Sequence, residues 1–286
     1  MDTGKVIKII SNQYTLRHDG RDFVAMPAGK LRKGEKPAVG DEVEYSTHEG
    51  QYRIEKVLPR KNRLLRPFVA NVDQALIVTS SKDPDYSPRL LNRLLFLVEL
   101  ADIAPVIVVT KSDLVDEAQK AAINKSLAWY EGCGIQVIRT HPGSDDTELE
   151  AVLKGKTSVL CGQSGAGKSS LLNRLEPSFK LQTQEISKAL GRGKHTTRHC
   201  ELHDVAGGLV ADTPGFSSLD FTRLDTSHLD EHIQAFAPYL GHCRFADCNH
   251  VNEPGCAIKQ AVEDGRIDPE LYEDYKLIRQ QEKKRY

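Results

Sequence analysis

The sequence has almost no net charge, no long apolar run, no internal repeat and no paired-cysteine framework, and each absence removes a class of protein. Its 39 Lys/Arg and 40 Asp/Glu leave a formal charge of −1 at pH 7, so no global field announces a polyanionic partner and local charge must decide. No stretch approaches the ~20 apolar residues of a membrane span. The opening "MDTGKVIKII" is broken by Lys8 before an apolar core of signal-peptide length. A soluble, cytoplasmic, monomeric protein with no membrane partner is expected. Of the six cysteines, Cys133, Cys161 and Cys200 are scattered singly, whereas Cys243, Cys248 and Cys256 gather around His250. That distribution favours a reduced compartment and a metal site over disulfides.

What is present divides into three stretches, and 286 residues suffice for two or three domains. Residues 1–66 hold 14 Lys/Arg against 9 Asp/Glu, which makes the N-terminal part the basic part. Five short β-type runs, "KVIKII", "YTLRH", "DFVAM", "DEVEY" and "QYRIEKVL", are separated there by polar or glycine-bearing turns. Strand number and length predict a small OB-like barrel over 1–65. Its loop "AGKLRKGEKPAVG" sets Lys30, Arg32, Lys33 and Lys36 against Glu35. Tyr14, Phe23, Tyr45 and Tyr52 either stack on bases or fill the barrel, and a small barrel needs large side chains inside.

From about residue 70 the pattern becomes strands alternating with helices, the mark of a parallel sheet covered on both faces. "QALIVTS" and "APVIVVT" read as buried strands. Between them "SPRLLNRLLFLVELAD" opens with a Ser87 cap and Pro88, then spaces its leucines as a helix does. "GIQVIRT", "TSVLCG", "ELHDV" and "GLVADT" supply further strands of an α/β nucleotide-binding domain over 66–222. The remainder, 223–286, reads as mostly helical around the cysteine cluster. Asp268 and Pro269 start a final helix whose basic end suits the negative pole of the helix dipole.

"GQSGAGKS", Gly162 to Ser169, fits the phosphate-binding pattern GxxxxGK[ST] with a strand before it and a helix after it. In Gly162, Gln163, Ser164, Gly165, Ala166 and Gly167 the glycines let backbone N–H groups converge on phosphate oxygens. Lys168 is expected to reach the β- and γ-phosphates, Ser169 to hold Mg²⁺, and Ser170 to extend the cradle. "ADTPG" ends an apolar strand with Asp212 placed for Mg²⁺ and Gly215 for the γ-phosphate. "TKSD", Thr110, Lys111, Ser112 and Asp113, follows another buried strand. Asp113 can accept both the N1–H and the 2-amino hydrogens of guanine, a donor pair that adenine lacks, and Lys111 would lie along the base. Thr110 stands where this motif usually has Asn. "RTHPG" ends the next strand, where a backbone N–H in Thr140 to Gly143 could meet guanine O6. "CRFADCNHVNEPGC" has the spacing Cys-x4-Cys-x-His-x5-Cys. Three thiolates and an imidazole from Cys243, Cys248, His250 and Cys256 make a closed, structural zinc site, with His242 an alternative ligand.

The motifs form a complete GTP-binding set, but the guanine loop precedes the phosphate loop. Joining the ancestral chain ends and opening the chain elsewhere produces this order, and compact domains with neighbouring termini tolerate such a change. One consequence is that the segment after Asp212 leads directly into the C-terminal part, so a nucleotide-dependent movement there can be passed on covalently.

With its barrel, rotated motifs and cysteine cluster, the whole chain resembles the circularly permuted GTPases, specifically the bacterial small-subunit-dependent RsgA family. The resemblance implies binding of GTP and GDP, docking on the small ribosomal subunit and its rRNA late in assembly, and hydrolysis stimulated by that subunit. By similarity Thr197, rather than its neighbour Thr196, would complete the Mg²⁺ shell. Arg198 departs from the threonine often found next. Phe216 follows "DTPG" where many GTPases carry a water-orienting glutamine, and the family's proposed substitute maps to His195 in the glycine-rich, basic segment "GRGKHTTRH". Catalysis then rests on Lys168, Thr197 and His195. Two rivals are an rRNA-binding assembly placeholder with incidental hydrolysis and a P-loop small-molecule kinase; the kinase leaves "TKSD", the barrel and the metal cluster unexplained.

Overall fold

Alternating apolar and polar residues, closed by two-residue turns with positive φ, build the first element of the fold. In the computed structural model, which describes residues 1–29, 31, 36–65, 68–177, 201–211 and 224–283, β1 (Asp2–Ile10), β2 (Gln13–His18), β3 (Arg21–Pro27), β4 (Glu42–His48) and β5 (Gln51–Val57) form a closed barrel. The strand order is β1-β2-β3-β5-β4, with β3 and β5 parallel and the other pairings antiparallel. Asp19-Gly20 and Glu49-Gly50 make the tight turns, both residues of each pair lying in the left-handed region as a turn matched to twisted strands requires. Val6, Leu16, Ala25, Val43 and Ile54 are fully enclosed, and Tyr14 and Tyr45 are buried with them. These two tyrosines fill the barrel. Tyr52 stays exposed, with the Phe23 ring 4.2 Å from its own.

After β6 (Arg63–Leu65) and β7 (Phe68–Ala70), which pair with each other, strands and helices alternate: β8 (Gln74–Ser80), α1 (Pro88–Glu99), β9 (Ala104–Thr110), α2 (Glu117–Gly132), β10 (Gln136–Arg139), α3 (Thr147–Leu153), β11 (Thr157–Cys161), α4 (Lys168–Leu175), β12 (Leu202–Val205) and β13 (Gly208–Ala211). The C-terminal part carries α5 (Leu229–His232), α6 (Ala257–Glu263) and α7 (Pro269–Lys283). Among the described residues no helix is long and apolar enough to cross a membrane.

The chain forms two compact units, one comprising Met1–Gln74, Asp146–Leu160 and the described part of Lys168–Phe216, the other Ala75–Asp145, Cys161–Gly167 and the described part of Ser217–Tyr286. In the first, β11 runs parallel to β13, which pairs antiparallel with β12. Ion pairs fasten the barrel here: Lys8 to Glu201 at 2.8 Å, and Arg17 to Asp204 at 2.7 Å while it also grips Asp22. That grip holds the Asp22 carboxyl below its usual range. Asp41, wholly buried, is neutralised by Arg60 through bonds of 2.7 and 2.8 Å, as a buried charge must be.

In the second unit β8 is buried on both faces and β9 runs parallel to β10. Ser87 caps α1 by accepting from Leu90 N, and Leu91, Leu94, Leu95, Phe96 and Val98 form its buried stripe. A capping box, Asp116 with Gln119, starts α2. Polar contacts join α1 to α7: Asn92 donates to Asp274 at 3.0 Å and accepts from the Tyr130 hydroxyl at 2.7 Å, and Arg89 donates to Asp274 at 2.9 Å. Glu99, at the end of α1, is pushed up to about 8 by burial and accepts from Gln234 N.

Candidate active site and metal centre

The phosphate-loop sequence follows β11, all of whose residues are buried, and opens with a glycine for a steric reason. Gly162 has φ +137, and a Cβ there would lie 2.0 Å from the carbonyl oxygen of Val78; no side chain fits. Gly165 and Gly167 also have positive φ, Ala166 is fully buried, and α4 begins at Lys168. Ser164, Gly165, Ser169 and Ser170 are exposed. The loop therefore turns its backbone and the start of a helix outward, the arrangement that attracts phosphate. The Ser169 hydroxyl is a hard oxygen donor of the kind Mg²⁺ takes.

The guanine-loop sequence is joined to this loop within the second unit. Thr110, 6% exposed, donates its one hydroxyl proton to the Ala166 carbonyl at 2.7 Å, with the Thr79 carbonyl a secondary contact at 3.3 Å. Its side chain thus ties "TKSD" to the phosphate loop with a hydroxyl where an amide is usual. A Cβ on Gly167 would stand 3.5 Å from the same Oγ1, so the two loops are in contact along that edge. Lys111, with φ +57, donates through Nζ to the Asp83 carbonyl, and Asp113 is exposed. The turn expected to reach the base edge is preformed: Thr140 Oγ1 and Ser144 Oγ lie 2.9 Å apart, and Ser144 Oγ donates to the His141 carbonyl at 2.8 Å. His195, Thr196, Thr197, Asp212, Gly215 and Phe216 lie outside the described residues.

The cysteine cluster converges as its spacing predicts. One ligand atom from each of Cys243, Cys248, His250 and Cys256 lies within 4.8 Å of all the others. Cys243 Sγ is 3.9 Å from Cys256 Sγ, and His250 Nδ1 is 3.5 and 3.4 Å from those two sulfurs. A tetrahedron with bonds of ~2.3 Å has edges of ~3.8 Å, so this donor set can hold a metal ion. His242 is not a member of the group. Burial pushes the Cys248 thiol up to about 12, with Cys243 and Cys256 adding to the rise, and burial also raises Cys256. For Cys243, burial opposes ionisation but the Ala257 N–H, Cys248 and His250 outweigh it. Packing several thiolates together is costly without a cation, which is the situation a metal relieves.

Asp230 was not foreseen. His250 Nε2 faces its carboxylate at 3.3 Å, leaving Nδ1 toward the sulfurs, and a carboxylate behind a ligating imidazole fixes its tautomer and orientation. From α7, Tyr272 donates to the His250 carbonyl at 2.8 Å, Tyr275 to the Asn249 carbonyl at 2.9 Å, and Arg279 to the Asn249 side chain at 2.5 Å. The final helix therefore braces the knuckle that carries the ligands. No sequence signal marks Asp230, which lies upstream of the ligand run in the short helix α5.

The RsgA GTPase family profile matches residues 57–222. The small ribosomal subunit biogenesis GTPase RsgA of Geobacillus sp. (strain WCH70) is 45% identical over 279 residues, covering 96% of this chain and 95% of the relative. The protein of that name from Shouchella clausii is 43% identical over 279 residues with the same coverage. Among solved structures, YloQ, a circularly permuted GTPase, has 37% identity and a TM-score of 0.84, covering all of this chain and 96% of its own. YjeQ from Thermotoga maritima has 36% identity and a TM-score of 0.84, covering 97% of each.

Proposed function

The chain belongs to the RsgA GTPase family and hydrolyses GTP, and from that premise we propose that it does so on the small ribosomal subunit, late in that subunit's maturation, and leaves after hydrolysis. The observation that supports the nucleotide part is the Thr110 to Ala166 bond, by which the sequence we read as base-reading touches the one we read as phosphate-reading. In this reading Asp113 selects guanine, with Thr110, Lys111 and Ser112 shaping the loop around it. Gly162 to Gly167 present amides to the phosphates, Lys168 neutralises the β- and γ-oxygens, and Ser170 closes the cradle. Ser169, Thr197 and Asp212 would hold Mg²⁺, which when bound offsets phosphate charge, and Gly215 would offer its N–H to the γ-phosphate. No covalent intermediate is required.

The domain scheme is 1–65 for the barrel, 66–222 for the permuted GTPase part and 223–286 for the metal-binding part. Zinc is the ion that suits three sulfurs and one nitrogen in a closed tetrahedron, one per chain and structural. A cytoplasmic monomer docking on rRNA through the basic barrel and the metal-binding part fits the charge distribution and the relatives' role.

Phe216 lacks the group that usually orients water, so an outside surface must deliver His195. GTP turnover by free protein, with small subunits, with large subunits and with whole ribosomes tests the reading. Small subunits should raise the rate at least about tenfold, ~1.4 kcal/mol of barrier, and His195→Ala should lose most of that gain while nucleotide affinity holds. Equal turnover in all four conditions would leave the assembly-placeholder reading instead.

A further inference from the structure

Glu99 is a buried acid that the nucleotide chemistry does not use. It is the last residue of α1 and 7% exposed. Its Oε1 accepts from Gln234 N at 3.2 Å, and among the described residues Oε2 has no hydrogen-bond partner. The carboxyl lines a crevice within the second unit whose apolar walls include Leu95, Trp129, Ile135, Ile233 and Leu271. At about 10 Å³ the crevice has room for one water molecule and none for a hydrated counter-ion.

The segment that Glu99 touches is seated on two helix ends at once. Gln234 Nε2 donates to the carbonyl of Cys133, just beyond α2, at 2.7 Å, and His232 Nδ1 meets Asp102 Oδ1, just beyond α1, at 3.1 Å. Ile233 and Phe236 are buried. In sequence this segment leads from "ADTPG" to the cysteine run, so its seating lies on the covalent route between them.

The surroundings accept the neutral acid and oppose its charge. Tyr130 and Cys133, from the end of α2, line the same crevice and are themselves held neutral by burial. Asp268, ahead of α7, adds a second carboxyl that burial also raises. Asp102 is exposed and faces His232. The cation lining the crevice, Arg266, is paired with Asp264 and 60% exposed. Among the described residues no cation is committed to Glu99, so ionising it inside the seam costs desolvation with no ion pair to offset it.

We propose that Glu99 is a pH-sensitive latch: protonated, it seats the 232–236 segment on the ends of α1 and α2, and ionised, it releases that segment. The direction follows from linkage. In the closed seam the carboxyl stays protonated up to about pH 8, whereas in the released segment it returns to its ordinary value of 4.5. Release between those limits sheds a proton, so the released fraction grows by up to about tenfold per pH unit and levels off above about pH 8. The latch is tightest in acid and is lost as pH rises.

Hydrogen exchange of the full-length protein with zinc present, read by mass spectrometry on peptides covering 232–236 and corrected for the intrinsic effect of pH, measures the released fraction. From about pH 5.5 to about pH 7.5 it should rise at least about tenfold, then flatten above about pH 8. Glu99→Gln keeps the acceptor and cannot ionise, so its segment should stay protected throughout. That variant retains His232 and Asp102, and any pH response owed to that pair remains in it and can be subtracted. Glu99→Ala loses acceptor and acid together and should exchange readily at every pH. Peptides from β8 are the internal reference: protection lost there in step with 232–236 would mean global unfolding and would overturn the latch. A parent profile without a pH response, a Glu99→Gln protein that follows the parent, or a Glu99→Ala protein as protected as Glu99→Gln would overturn it as well. The parent profile and its β8 reference decide the matter even where a variant does not fold.

Discussion

The nucleotide loops and the metal centre solve opposite problems. The metal centre takes its ligands from one short run of chain and encloses them: His250 and Cys256 are each 4% exposed, and α7 bonds to the knuckle that carries them. The nucleotide loops come from segments far apart in sequence and stay open, with Asp113, Ser164, Ser169 and Ser170 exposed. On the reading proposed above, one site would hold its part of the fold together and the other would be held by the fold. Residues in the first should therefore register as stability, and residues in the second as affinity.

The largest expected effect tests the first half. Cys248→Ala removes one of three thiolates and leaves the others crowded without a compensating cation. Metal content should fall well below one per chain, and the C-terminal part should lose stability on the order of several kcal/mol, since ligation of this kind contributes folding free energy. Melting with and without a chelator, alongside metal analysis, reads both quantities. A variant that melts like the parent would mean that α7 and its tyrosines suffice without the ion.

Asp113→Asn tests the second half. It exchanges an exposed charged acceptor for an amide and should leave melting unchanged while GDP binding weakens by roughly 2–4 kcal/mol. Xanthine nucleotides should bind better, because the amide can donate where the carboxylate could only accept. Titration of GDP, ADP and XDP separates the cases, and equal GDP and ADP affinities in the parent would remove Asp113 from the role.

The same contrast explains what could be read without coordinates. The four residues that cluster at the candidate metal centre were legible because they are confined to 14 residues, and the glycine demanded at 162 because it opens the pattern GxxxxGK[ST] after a buried strand. The five barrel strands showed their alternation and turn residues. Asp230 was illegible because a carboxylate behind a histidine has no fixed spacing. The short helix α3 and the strands β6 and β7 were not read at all, and α2 was missed because only Leu127 and Tyr130 of its 16 residues are buried, too few to draw a stripe. Tyr14 and Tyr45 fill the barrel, as a small barrel's need for large side chains suggests, while Tyr52 stays exposed, since strand alternation marks a face and not which side of the barrel wall it meets. His195, Thr197 and Asp212 rest on motif position and resemblance.

Thr110 blurs the division, and so sharpens it. It belongs to the loop proposed to read the base, yet it is buried, and its hydroxyl donates to the Ala166 carbonyl. Thr110→Val keeps the shape and removes the donor to the Ala166 carbonyl. An unsatisfied buried acceptor costs about 1–3 kcal/mol, and a loop that relaxes around it recovers part of that figure. The expected result is therefore a small loss in both columns: ~1 kcal/mol of stability and ~1 kcal/mol of GDP affinity, the second because the phosphate loop is no longer tied to the base loop. Thr110→Ser should behave like the parent, and Thr110→Asn, the usual residue of this motif, should restore the tie through an amide. If Thr110→Val lowers the melting temperature but not GDP affinity, the bond is a piece of core and the phosphate loop keeps its place without it. Parent-like values for both would show that neither loop depends on the tether.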